Sequence, residues 1–340
     1  MRFAIMSFAH LHAEAYIQNL RAIPGVEMIG FADDDPDRGK HFAALYNTRW
    51  FPSYEALIAE KPDGVIICAE NARHRPLAEM AAAAGISVLS EKPLATTLAD
   101  AQAMVEACQR AGVVLMTAFP MRFSAPVIEA KKVVDSGALG TIYGCNATNQ
   151  GQLPRLHTAY PRDWFVDKVL AGGGAAADHT VHVADLLRWY FQSEVVEVYA
   201  ELNHIFYQEP GIEVETGGLI MLSFANGAFA TVDCSWSKPP HYPTWGGLTM
   251  ELVGEGGLLT LDPFRQVMTV YGKDAPRPRW AYWGVRSQSG HDQRIRGRRA
   301  RKARSSHHRL RRLQGRRDRR SGLSLSGKRS AGDATAIVDL

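Results

Sequence analysis

Residues Met1–Pro36 read MRFAIMSFAHLHAEAYIQNLRAIPGVEMIGFADDDP. The apolar run Phe3–Ser7 is strand-like, His12–Ala22 has helical spacing, and Val26–Ala32 is a second apolar run that stops at three aspartates. Two strands joined by a helix of this length pair in parallel through a right-handed crossover. The rhythm continues to residue 120. Helices are predicted over Asp37–Tyr46, Tyr54–Glu60, Pro76–Ala84 and Leu98–Ala111, and strands over Gly64–Cys68, Ser87–Leu89 and Val113–Ala118. These strands are apolar throughout, as a sheet covered on both faces requires.

Beyond residue 120 the pattern changes. Ala125–Ser136 is helical, and another helix follows Gly172-Gly173-Gly174. Strand-like runs then succeed one another at Val195–Leu202, Gly218–Phe224, Ala228–Ser235, Thr249–Val253, Leu258–Leu261 and Val267–Tyr271, with a hairpin signal at Asn226-Gly227. The expected fold class is α/β. An N-terminal Rossmann-type parallel sheet domain spans 1–120, and a C-terminal α+β domain with a largely antiparallel open sheet spans 121–284. No internal repeat is visible.

The 340 residues are 46% hydrophobic, enough for two domains with substantial cores. No charged leader or cleavage site precedes the first strand, and no apolar run is long enough to span a membrane, so a cytoplasmic protein is expected. Cys68, Cys108, Cys145 and Cys234 lack C-x-x-C spacing, which argues against a disulfide framework or a cysteine zinc site. Charge is uneven. Of 39 Lys and Arg and 35 Asp and Glu, 17 and 4 lie in 285–340 (net +13), which leaves 22 and 31 in 1–284 (net −9). An acidic body argues against a nucleic-acid binder, whose basic patch lies on the folded domain itself.

Four places could carry chemistry. A dinucleotide pyrophosphate sits on the turn after the first strand, usually G-x-G-x-x-G. Here the turn is Ser7-Phe8-Ala9-His10-Leu11-His12, without glycine, and Ala9 puts a Cβ where close approach is wanted. Asp33 stands where an acid would bind the ribose 2′-hydroxyl and repel a 2′-phosphate, favouring NAD over NADP. The bland role for this acidic run is a helix N-cap before Pro36, which suits Asp35. Third, Glu91-Lys92-Pro93 follows a short strand whose C-terminus faces the ligand crevice. A lysine there can hydrogen-bond a substrate hydroxyl and help move its proton, and Pro93 is a candidate cis residue. Fourth, Asp178, His182 and Asp185 fall at i, i+4 and i+7 on one helix face. A histidine flanked by carboxylates can act as a general base near neutral pH, whereas packing or capping is the bland role for the pair His179 and His182. Their H-x-x-H spacing supplies too few ligands, and no metal is expected.

In order and spacing these features resemble the glucose–fructose oxidoreductase / inositol dehydrogenase / rhizopine-catabolism (Gfo/Idh/MocA) family. The matching pieces are FADDDP (31–36), ICAENARH (67–74), EKPLATTLADA (91–101), MRF (121–123) and LAGGGAAADHTVHVADLLRW (170–189). The resemblance covers roughly residues 1–284. It implies a nicotinamide dinucleotide, NAD rather than NADP, held by Ser7, Ala9, His10, Asp33, Asn71, His74, Glu91 and Lys92. It implies that Lys92 contacts both substrate and nicotinamide, that Asp178 lies in the substrate pocket, orienting His182 or binding a neighbouring hydroxyl, and that His182 accepts the proton. Arg122, Trp164, His179 and Asp185 would bind a sugar or polyol, and the antiparallel sheet would join the subunits of a homodimer or homotetramer. Three departures stand out: the missing glycines, Thr180 in place of the glycine of D-x-G-x-H beside the extra His179, and Trp164-Phe165 in place of Trp-Arg. The implied reaction is reversible hydride transfer at a carbinol carbon. A non-catalytic dinucleotide- or sugar-binding regulator on the same fold is the alternative.

The stretch DQRIRGRRARKARSSHHRLRRLQGRRDRR (Asp292–Arg320) is unlike the rest. An Arg codon of the CGN type read one base later begins with G, so an Arg-rich run can be a helix-forming sequence in a shifted frame. Codons chosen for His291 onward then read MINEFVAAV, an amphipathic pattern. His307–Arg319 and Ser324–Thr335 can be read as ITGYDGYKAVEIA and AYQESGQPVTLP, which resemble the closing elements of the same family. Residues 285–340 therefore read as a frameshift product with too few large apolar residues to fold. A basic arm binding nucleic acid non-specifically is the competing reading, weakened by the lack of interleaved aromatics.

Overall fold

The computed structural model describes residues 1–154, 160–240, 242, 244, 246–265, 267–270 and 279–282. The basic tail, and with it the frameshift reading, lies outside the described residues.

The first sheet has six parallel strands, β1 (Arg2–Met6), β2 (Glu27–Ala32), β3 (Trp50–Phe51), β4 (Gly64–Ile67), β5 (Ser87–Ser90) and β6 (Leu115–Thr117). Helices α1 (Ala13–Ala22), α2 (Pro36–Tyr46), α3 (Tyr54–Ala59), α4 (His74–Ala83) and α5 (Leu98–Arg110) run between them. The strand order β3-β2-β1-β4-β5-β6 reverses direction between β1 and β4. Ligands of open parallel sheets bind beyond the strand C-termini at such a switch point. Both faces are covered, as the apolar strands required. Ala4, Met6, Val65 and Ile67 pack with Leu77 and Met104 on one side. Phe3, Ile5 and Ile66 pack with Ile17 and Phe42 on the other. Asp35 caps α2 by accepting from the amides of Asp37 and Arg38, with Pro36 in the first turn. The two-residue β3 carries no periodicity and was not predicted.

The second sheet follows the order β12-β11-β7-β10-β9-β8. Its strands are β7 (Ile142–Gly151), β8 (Val195–Asn203), β9 (Gly217–Phe224), β10 (Phe229–Asp233), β11 (Gly246–Gly254) and β12 (Gly257–Leu261). All neighbours are antiparallel except β7 and β10, which run parallel. Helices α6 (Ala125–Asp135) and α8 (Ala175–Phe191) cover one face, where Val183, Leu186 and Leu187 meet Leu222, Val232 and Leu252. A single turn of helix, α7 (Lys168–Ala171), precedes α8.

The sequence reading missed β7, the longest strand. IYGCNATNQG holds two glycines and two asparagines, residues disfavoured in strands. Pairing on both sides overrides that propensity. Gly144 suits that position, because a Cβ would lie a tight 3.0 Å from the Phe229 carbonyl oxygen on β10. The predicted strand at 267–271 exists as β13 (Val267–Val270), but it pairs with β14 (Arg279–Tyr282) in a separate ribbon. No helix among the described residues is long and apolar enough to cross a membrane.

Candidate active site

Lys92 leaves the C-terminus of β5 through a cis Lys92–Pro93 bond. Its side chain crosses to the second domain. Nζ donates to the Asp178 carbonyl at 3.3 Å and pairs with Asp178 Oδ1 on α8, both side chains being buried. Asp178 Oδ2 accepts from Trp236 Nε1 at 3.4 Å and faces His179 Nε2 at 3.3 Å. His179 Nδ1 in turn lies 3.1 Å from the Cys234 carbonyl.

His182 is one helical turn further along. Its Nδ1 is buried with no hydrogen-bond partner among the described residues, and its ring meets Phe119 edge-on at 6.1 Å. Of the two roles expected for Asp178, orienting His182 or binding a neighbouring hydroxyl, no hydrogen bond from Asp178 to His182 Nδ1 supports the first. The carboxylate is engaged by Lys92, His179 and Trp236 instead. Burial opposes the Asp178 charge, but Lys92, His179 and His182 together hold its carboxyl well below the usual range. Burial, then the Lys92 charge, pushes the His182 imidazole well below its ordinary value. His182 is thus neutral at pH 7, the state a general base needs.

Behind Lys92, Glu91 is wholly buried. Its Oε1 accepts from Tyr16 Oη at 2.6 Å and faces His12 Nδ1 at 3.1 Å, while Oε2 accepts from the Lys92 amide at 3.1 Å. Burial works against this carboxylate, but His12, His10 and Lys92 hold it well below the ordinary range. Ligand atoms of His10, His12 and Glu91 lie within 4.8 Å of one another. Their hydrogen bonding nonetheless disfavours a metal. His10 Nδ1 accepts from the His12 amide at 3.1 Å, which puts the proton of the neutral ring on Nε2, a donor and not a ligand.

At the switch point, Ser7 has φ +71°, the left-handed backbone that a glycine would adopt without cost. The amides of Phe8, Ala9 and His10 donate to Asp33 Oδ2 (2.7 Å), Ser7 Oγ (3.1 Å) and the Cys68 carbonyl (2.8 Å). Asp33 is saturated. Oδ1 accepts from the Asp35 amide and Arg38 Nη2, both at 2.9 Å, and Oδ2 from Phe8 N and from Arg38 Nε at 2.9 Å. It therefore ties the turn to α2 and presents no free lone pair to a ribose, contrary to the expectation. The crevice otherwise fits a dinucleotide. The positive end of α1 opens at the turn. Asn71 Oδ1 is buried without a partner among the described residues, while its Nδ2 donates to the Ala171 carbonyl at 2.9 Å, which leaves an acceptor for a ligand.

Other expected ligands are spoken for. His74 Nδ1 faces the Pro93 carbonyl at 3.0 Å and Nε2 the Ala69 carbonyl at 3.2 Å, so the ring braces the loops after β4 and β5. Trp164 Nε1 donates to the Ala9 carbonyl at 3.1 Å and so closes on the cofactor turn, where a substrate contact was expected. Arg122 and Asp185 form a two-pronged pair, Nη2 to Oδ1 at 2.7 Å, which leaves neither charge free. His12, Tyr16, Arg38, Arg162 and Trp236 were not anticipated. His12 and Tyr16 are four apart at the start of α1 and share a face, a signal the sequence did offer. Trp236, far along the chain, offered none.

Comparison with known proteins follows the same division. Residues 2–119 match the model of an oxidoreductase family with an NAD-binding Rossmann fold, and residues 127–260 match the GFO/IDH/MocA C-terminal domain. The fold and site define an NAD-dependent oxidoreductase. The chain belongs to the Gfo/Idh/MocA family. D-apiose dehydrogenase of Paraburkholderia graminis is 28% identical over 274 residues, covering 79% of this chain and 68% of that protein. Myo-inositol 2-dehydrogenase of Thermotoga maritima is 26% identical over 274 residues, covering 79% of this chain and 78% of its own length. The crystal structure of GenD2 from gentamicin A biosynthesis, in complex with NAD, has a TM-score of 0.78 at 25% identity, over 91% of this chain and 88% of that one.

Proposed function

We propose that the protein oxidises a carbinol carbon of a sugar, polyol or derivative, reversibly, with NAD. The observation that carries this reading is the buried Lys92–Asp178 pair spanning the crevice beside a neutral His182. When bound, nicotinamide accepts the hydride from the carbinol carbon. The protein moves the proton. An ammonium has three N–H donors, and Asp178 takes two of them through its carbonyl and Oδ1, leaving one for the substrate hydroxyl. That hydroxyl loses its proton to His182 as the carbonyl forms. Asp178 holds Lys92 in place, and Glu91 fixes the Lys92 backbone from behind. The curated relatives named above act, by their names, on a branched sugar and a cyclitol, which supports a polyhydroxylated substrate.

Further parts of the reading concern organisation. The catalytic units are 1–120 and 121–284. The uncovered face of the second sheet exposes Tyr199, Leu219, Met221, Phe229 and Val253, an apolar surface suited to a second copy in a homodimer or homotetramer. All four cysteines are buried and free, which suits a reducing cytoplasm. The direct test is incubation with NAD and a panel of aldoses and polyols, following NADH. NADH with a matching carbonyl product supports the dehydrogenase; tight NADH binding without turnover on any substrate supports a regulator.

A further inference from the structure

We propose that the second domain, through Arg162 and Trp164, sets the conformation of the dinucleotide-binding turn, so that cofactor affinity is governed from across the domain boundary. This rests on the reading of the protein as an NAD-dependent enzyme.

A glycine-rich turn adopts its shape by its own backbone freedom. The Ser7–His12 turn has no glycine, and Ser7 sits at φ +71°, where a non-glycine residue is strained by about 1–2 kcal/mol. Something outside the turn must hold it. The Ala9 carbonyl receives two side-chain donors from the second domain, Arg162 Nε at 3.0 Å and Trp164 Nε1 at 3.1 Å. A carbonyl has two lone pairs, and both are filled. The other end of the same peptide is fixed too, because the His10 amide donates to the Cys68 carbonyl at 2.8 Å, at the end of β4. The Ala9–His10 peptide plane therefore cannot flip without breaking three hydrogen bonds.

Arg162 extends the hold to the helix. Its Nη2 donates to Glu14 Oε1 at 2.8 Å, in the first turn of α1, so one guanidinium grips both the turn and the helix whose N-terminus faces the crevice. The side chain is buried, and burial lowers its pKa from the ordinary arginine value, with Glu14 opposing. A buried arginine is rare unless its donors have a structural task. The aromatic side completes the clamp. Trp164 stacks on Phe165 at 3.9 Å, and Phe165 meets the His10 ring edge-on at 5.3 Å. Arg162 and Trp164 are positioning residues. They hold the turn and α1 in the arrangement that receives the pyrophosphate, an ordering cost then not borne on binding.

The experiment uses the full chain carrying Arg162→Met, Arg162→Lys, Trp164→Phe or Glu14→Gln. NADH affinity is measured by fluorescence titration, kcat at saturating cofactor, and Tm by thermal melting. Trp164→Phe removes one hydrogen bond to Ala9 with little change of shape, and is expected to weaken NADH about fivefold. Arg162→Met is expected to weaken it more than tenfold, with Arg162→Lys intermediate and kcat at saturation within about twofold of the parent in every variant. If Arg162→Met does not fold, Trp164→Phe and Glu14→Gln decide alone. Lowered Tm with unchanged NADH affinity in the folded variants overturns the proposal, because the contacts are then merely structural. A fall in kcat with unchanged affinity overturns it as well. Failure of the parent protein to bind NADH overturns the functional reading itself, and is seen before any variant is made.

Discussion

The Lys92 ammonium at the end of β5 rests on the Asp178 carboxylate of α8, and this ion pair is buried where the two domains meet. Removing one partner strands the other as an unpaired buried charge, which costs about 3–5 kcal/mol. Asp178→Ala is therefore expected to lower Tm strongly, and Asp178→Asn less. Because Lys92 donates to the reacting hydroxyl in the proposed mechanism, Lys92→Met is expected to lower kcat by about 10²–10⁴-fold. Thermal melts and steady-state rates on the same preparations check both effects.

His179 and His182 lie on one helix but in different surroundings. His179 is spent between Asp178 and the Cys234 carbonyl, whereas His182 Nδ1 has no protein partner among the described residues. His182→Gln should lower kcat about 10²-fold or more with a small change in Tm. His179→Gln should do the reverse, mainly costing stability. Equal rate losses in both variants would contradict the assignment of the base.

Burial lowers His10, His74, His179 and His182 below the ordinary 6.5. With folded values below unfolded ones, the unfolded chain binds protons first as pH falls. Their contribution to stability is complete above about pH 6.5 and is lost as pH drops below it. Asp178, also depressed in the folded state, adds its own loss only below about pH 4. Tm is expected to be level from about pH 7 to 8 and to decline from about 6.5, before carboxylates titrate. A Tm unchanged down to about pH 4.5 would contradict the buried neutral histidines.

Gly174 precedes α8, and a Cβ there would lie 1.9 Å from the Glu215 carbonyl oxygen. The Glu215 carboxylate also accepts from the amides of Gly174 (2.7 Å) and Ala176 (3.1 Å), anchoring the helix start. Gly174→Ala should destabilise by about 1–3 kcal/mol or more. It should also lower activity, because the start of α8 carries Asp178. Chemical denaturation with a parallel activity assay measures both.

On the uncovered sheet face, Met221 lies opposite Tyr199 in the β8–β9 register and both are exposed. Met221→Lys puts a charge on that surface. It is expected to shift the protein to monomer in light scattering while the chain stays folded. An unchanged mass would contradict the proposal that this face joins two copies.

The parallel sheet was legible because buried strands and amphipathic helices each repeat on their own period from Phe3 to Ala118. β7 was not, since its Gly and Asn content reads as loop and its strand character comes from neighbours on both sides. Lys92, Asp178 and His182 were legible as residue types at family spacing. Their pairing was not, because whether Asp178 meets Lys92 or His182 depends on how two domains close. Asp33 shows the same limit. Its position predicted a ribose ligand, but Arg38, five residues on, and the Phe8 amide take its lone pairs. The clamp on Ala9 comes from residues more than 150 positions away, beyond any local pattern.

The central claim is hydride transfer to NAD driven by the Lys92 site, and it is tested most directly by following NADH formation over the sugar and polyol panel with the parent protein and Lys92→Met side by side. The expected result is turnover of at least one substrate by the parent, a loss of about 10²–10⁴-fold in Lys92→Met, and NADH affinity retained in both. Undiminished turnover in Lys92→Met, or NADH binding with no turnover by the parent on any substrate, would contradict the account.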